Sequence, residues 1–150
     1  MTESTTSAVS AVRKCADAMQ SQASSLLQSL PTLAMQEALR ATALELAAGL
    51  KDTSERVMFE LALLQTELGE GKADGAAVVR RLSGLDAAMM GAVAPLAEVV
   101  DALEKAAERD EAQEPAFVLV IETVGTLLQA LEHAKKATGA LEATLPGALS

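Results

Sequence analysis

His133 and Lys136, the single histidine of the chain and a lysine one helical turn on, come nearest to chemistry by type and spacing. Residues three apart share a helix face, so the Lys136 ammonium would neutralise a phosphoryl group carried on His133. Cys15 is a second candidate nucleophile. Arg13 and Lys14 beside it would lower the pKa of an accessible thiol, whereas a small half-buried residue next to an apolar seam needs no reactivity. Carboxylates cluster at Glu104, Glu108, Asp110, Glu111 and Glu114, but without calcium-loop spacing, and they read as a solvated acidic turn. One cysteine and one histidine cannot supply a usual zinc ligand set, and a di-iron bundle needs two Glu-x-x-His motifs. Gly69-Glu-Gly-Lys72 follows no strand and lacks the spacing of a phosphate-cradling loop. The expectation is a protein without metal, cofactor or enzymatic activity.

The segment His133-Ala-Lys-Lys136-Ala-Thr-Gly139 resembles the histidine phosphotransfer domain. That resemblance implies a four-helix bundle with His133 as an exposed phosphoacceptor and Lys136 as its charge partner. The chain departs from that family at Ala137, where Gly is usual, and carries its histidine in the last helix. Histidine phosphotransfer is the lesser alternative among the functions considered.

Charge narrows the partners. Twelve Lys and Arg against 21 Asp and Glu give a net charge of -9, and two Phe with no Tyr or Trp leave few rings for base stacking. An acidic surface repels phosphates, and Arg13-Lys14, Arg80-Arg81 and Lys135-Lys136 are too short to form a basic stripe, so no nucleic-acid binding is expected. The longest uncharged run, Ala18 to Gln36, holds four Gln, four Ser and Pro31, which is not the ~20-residue apolar stretch of a transmembrane segment. The start lacks the basic and apolar regions of a signal peptide, giving a cytoplasmic expectation. Its Ser/Thr-rich first ten residues also resemble leaderless export signals, including those of type III secretion.

The elements that must position these residues follow from composition and period. Of 150 residues, 31 are Ala and 23 Leu, which favours helix over strand. Four apolar stripes recur at the alternating three- and four-residue spacing of coiled coils. The first runs from Val9 to Leu30 and stops at Pro31, with Thr32 positioned to cap the next helix. The second runs from Met35 to Leu68 and ends at Gly69-Glu-Gly71. The third runs from Val78 to Ala106 behind a cap at Asp74. The fourth runs from Phe117 to Leu145, between Glu114-Pro115 and Pro146-Gly147. The fold predicted for residues 1–150 is a single all-α domain, an antiparallel up-and-down four-helix bundle, with a frayed stretch over residues 1–6. It has five helices if the second divides near Gly49 to Ser54; the unbroken apolar phase there favours one helix with a bend. Pro95 lies inside the third stripe and should kink it, because its ring clashes with the carbonyl of Gly91.

One stretch does not fit a simple bundle. Ala116-Phe-Val-Leu-Val-Ile121 is six consecutive apolar residues, and at ~100° per residue it covers the whole circumference of a helix. A bundle helix keeps one face polar, so Phe117, Val118, Leu119, Val120 and Ile121 are the expected partner-binding residues. A second copy is the first partner expected there, a different protein the next. The uncharged Met19 to Ser29 stretch is a second candidate surface. The stretch Glu98 to Glu114, seven acids against Lys105 and Arg109, offers a basic partner a third. The reading is a non-enzymatic bundle acting through protein–protein contacts: an adaptor, small chaperone or assembly subunit of a bacterial secretion or envelope system, with the Ala-rich composition pointing to the bacterial source. The alternative class binds a hydrophobic small molecule in a pocket of Met89, Met90, Pro95 and Phe117 at the kink, or coats a lipid or granule surface in the manner of Ala-rich phasin bundles.

Overall fold

The computed structural model describes residues 3–145 and is all-α, four antiparallel rods without a strand among the described residues. Helices α1 (Glu3–Ser29), α2 (Glu37–Gly69), α3 (Gly75–Val93), α4 (Leu96–Arg109) and α5 (Glu114–Ala143) make up the rods, with α3 and α4 the two halves of the third. Each rod packs on the next in chain order, and α5 closes the square against α1. Cross-rod contacts fix the alternation of direction. Arg13 near the start of α1 bonds Gln65 near the end of α2, Arg81 of α3 pairs with Glu67 and Glu60 of α2, and Thr138 of α5 reaches Asp86 of α3.

The core is built from the stripes. On α1, Val9, Val12, Ala16, Met19, Ala23, Leu26 and Leu30 are all buried, and no stripe residue of the other rods is exposed. Ala8, Ala16, Ala23, Ala43, Ala47, Ala116 and Ala134 are fully buried among the larger Leu, Val and Met of the seams.

The rod ends show how local chemistry sets the turns. Pro31 ends α1 through a short 3-10 turn, Leu30–Thr32. Thr32 does not cap α2; its hydroxyl donates back to Ser29 O at 2.7 Å, and α2 starts behind Gln36, which makes no side-chain cap bond. Arg40 instead bridges the connection, donating to the Leu33 carbonyl at 2.6 Å and the Leu30 carbonyl at 3.4 Å while pairing with Glu37. The Leu30 carbonyl also accepts from Leu33 N at 3.3 Å, and the Leu33 carbonyl lies in the connection beyond the helix. Asp74 caps α3 by accepting from Ala77 N at 2.8 Å, and Gly71 takes the left-handed turn at φ 71°. The closing signal Pro146-Gly147 lies outside the described residues.

The second rod is one helix. Ser54, a potential cap, is buried and donates to its own Lys51 carbonyl at 2.7 Å, so it serves the helix interior. The break in regularity falls at Ala94 and Pro95. Both keep right-handed helical dihedrals, Ala94 N still bonds Met90 O at 2.9 Å, and Ala97 N tightens onto Ala94 O at 3.1 Å. Pro95 has no N–H for the Gly91 carbonyl, which makes this a kink within one rod. By length and composition alone, two rods, Gly75–Arg109 and Glu111–Ala143, are apolar enough to cross a membrane. Both supply buried stripes to the bundle.

Candidate functional site

The first turns of α5 combine a buried stripe with an outward apolar face. Pro115 stands at the helix start, where its missing N–H costs nothing, and it follows a short 3-10 turn, Glu111–Gln113. Gln113 is buried and ties this corner to the start of α2, its Oε1 accepting from Gln36 N at 3.3 Å. From that anchor, Ala116 and Val120 point into the core, and Phe117 and Leu119 are half-buried. Val118 and Ile121 face outward, 38% and 42% exposed, and Leu128 continues their line at 44%. Ala116 to Ile121 is therefore only partly covered by the bundle. Beside it lies an open notch of about 590 Å³ lined by Glu111, Glu114, Pro115, Val118, Leu119 and Glu122, an apolar floor with a carboxylate rim.

The residues named for a pocket at the kink lie in different places. Met89 is fully buried in the core, and Met90 points outward onto a groove between α3 and α5. Pro95 lines a separate groove of about 350 Å³ with Leu39, Leu46 and Val99, while Phe117 packs against the core at the start of α5. The α3–α5 groove, about 360 Å³, holds the most unusual polar group. Asp86 accepts from the Thr138 hydroxyl at 3.0 Å through Oδ2, while its Oδ1 is buried with no partner. Burial pushes the Asp86 carboxyl up, against the lowering effects of the Thr138 bond and the Lys135 charge. The Thr138 hydroxyl also lies 3.0 Å from the Ala134 carbonyl and has one proton for two acceptors.

His133 and Lys136 are both exposed on α5, and Lys136 pairs with Glu132 at 3.2 Å. Cys15 is buried, and its thiol is pushed up to about 11, first by burial and then by the Asp86 charge; Arg13 and Lys14 do not activate it. Among the described residues, no cluster of three or more His, Cys, Asp and Glu stands ready to hold a metal ion. In the Met19 to Ser29 stretch, Met19, Ala23 and Leu26 belong to the core and Ser21, Ser24, Ser25 and Gln28 face outward.

Three exposed apolar residues escape sequence reasoning. Phe59 is 62% exposed and Leu63 43% on α2, and Leu128 joins the outward line of α5. The available signal was apolar neighbours in excess of one face, Val57-Met58-Phe59 and Leu127-Leu128, which a search for seams alone passes over. Comparison with protein-family models, curated proteins and solved structures found no match to this chain.

Proposed function

We propose that the protein is a non-enzymatic helical bundle that works by holding a protein partner on the outward face at the start of α5, as an adaptor, small chaperone or assembly subunit. The observation that carries this reading is the line of Val118, Ile121 and Leu128, exposed together on one helix although each is a strongly apolar side chain. Single exposed apolar residues are ordinary; a contiguous row with a polar rim is the surface pattern of a binding site. The rim here is acidic, Glu111, Glu114 and Glu122.

The experiment compares affinity capture from the native host by the wild-type chain and by Val118→Glu/Ile121→Glu, with mass spectrometry and a folding check by circular dichroism. The expected result is a discrete protein retained by the wild type and lost by the folded variant. An identical captured set, or a chain of unchanged mass that retains nothing, would overturn the reading. A second reading, association with a lipid or granule surface, is favoured by the two long apolar rods and is tested in the same experiment by lipid recovered in place of protein.

A further inference from the structure

We infer that the partner held on α5 is a basic amphipathic helix, docked as an additional rod in coiled-coil register. The inference rests on the reading of the α5 start as a protein-docking face and adds the shape and charge of what docks.

Val118, Ile121, Gly125 and Leu128 are spaced three, four and three residues apart, and all four are exposed. That is the a/d repeat by which one helix receives another. It is distinct from the stripe α5 gives to its own bundle, where Val120, Leu127, Leu131 and Ala134 are buried. One helix therefore carries two seams, an inner one already packed and an outer one that is open. At 1.5 Å per residue the outer seam spans roughly 15 Å, about three turns of a partner helix. Gly125 sits within it, and a methyl group at that position would meet nothing within 4 Å. Small residues on a seam let a second backbone approach closely.

Charge selects the partner's polar positions. Continuing the seam register toward the N-terminus reaches Glu114 and Glu111, continuing it toward the C-terminus reaches Glu132, and Glu122 flanks it. Among the described residues Glu111, Glu114 and Glu122 make no ion pair, whereas Glu132 is answered by Lys136 at 3.2 Å. In the notch, a lysine or arginine stem would lie over Val118 and Leu119 with its cationic head among the carboxylates. A second copy of this chain fits poorly. Reversed about the seam centre it would set Glu114 against Glu132 of the other copy, and parallel it would set each acid against itself. With a net charge of -9 on each chain, both arrangements are repulsive. The same acids disfavour an anionic membrane surface.

The test uses the full chain and two fluorescein-labelled 21-residue helical peptides, both with Leu at a and d. One carries Lys at e and g, the other Glu. Anisotropy titrations should show the Lys peptide binding at least tenfold more tightly than the Glu peptide, with affinity falling as salt rises from 25 to 250 mM. Val118→Glu/Ile121→Glu and Gly125→Arg should each weaken the Lys peptide at least tenfold. A Cβ at Gly125 meets open space, and circular dichroism checks that the variant folds. Phe59→Glu, on another rod, should leave binding unchanged. Equal binding of both peptides, no loss in the seam variants, or a chain that already runs as a dimer dissociated by those variants would overturn the inference. If capture from the host still depends on Val118 and Ile121 while neither peptide binds, the docking face stands and the basic helix falls.

Discussion

Asp86 carries the clearest residue-scale tension in the molecule. Its Oδ1 is buried without a partner, its Oδ2 shares one threonine hydroxyl with a backbone carbonyl, and burial raises its carboxyl above the ordinary range. An unsatisfied buried polar atom costs on the order of 1–3 kcal/mol. Because the folded-state pKa is raised, the neutral acid is the form that stabilises the fold. Its contribution is complete below the unfolded carboxylate pKa and is lost as pH rises through the folded value. Asp86→Asn should therefore raise the melting temperature at pH 7, since an amide donates to Thr138 without a charge to bury. The gain should shrink as pH falls from 7 to 4, because the raised native carboxyl takes up its proton at higher pH than a free one. Thermal denaturation at the two pH values measures this; an equal shift at both, or a loss at pH 7, would refute a destabilising charge. Cys15 belongs to packing: a buried thiol pushed up to about 11 is neither nucleophile nor ligand near neutral pH.

At the scale of elements, the rods were legible because their signals repeat. Val78, Leu82, Met89, Leu96, Val99 and Leu103 share one period across Pro95 and all are buried, so the kink bends a rod without dividing it. Less legible were the places where one side chain decides. Thr32 stands where a cap belongs yet closes α1, because the chain runs extended from Leu33 to Gln36 before α2 begins, and Arg40 supplies the bonds instead. The outward seam was visible only as an apolar excess at residues 116–121; its extension through Gly125 to Leu128 needed the burial of each residue. Glycines separate a continuous second rod from a divided one. Gly49 lies within α2, exposed, with open space where a Cβ would stand, so Gly49→Ala should stabilise the protein by about 0.5–1 kcal/mol. Gly71, at φ 71°, should respond oppositely, because a Cβ strains a left-handed residue. Urea denaturation distinguishes them. Destabilisation by Gly49→Ala would mean that α2 ends there.

For the whole molecule, the square of rods leaves two poles with different characters. The α4–α5 corner concentrates acids, seven against two bases between Glu98 and Glu114, directly beside the open apolar seam. The exposed Phe59 and Leu63 lie on α2, the rod diagonal to α5 in the square. Among the described residues no second layer covers Val118, Ile121 and Leu128 on α5 from outside. In the proposed function the cover for the exposed Val118, Ile121 and Leu128 is a partner helix, and their acidic surroundings favour a basic one. The most direct test places a photo-crosslinking amino acid at residue 121 or 128, and for comparison at Asp52 on α2, in the native host. The account requires one discrete protein adduct from 121 and 128 and none from 52, the adduct mapping to a basic helical segment of its partner. No adduct from 121 and 128, or adducts to lipid alone, would contradict it.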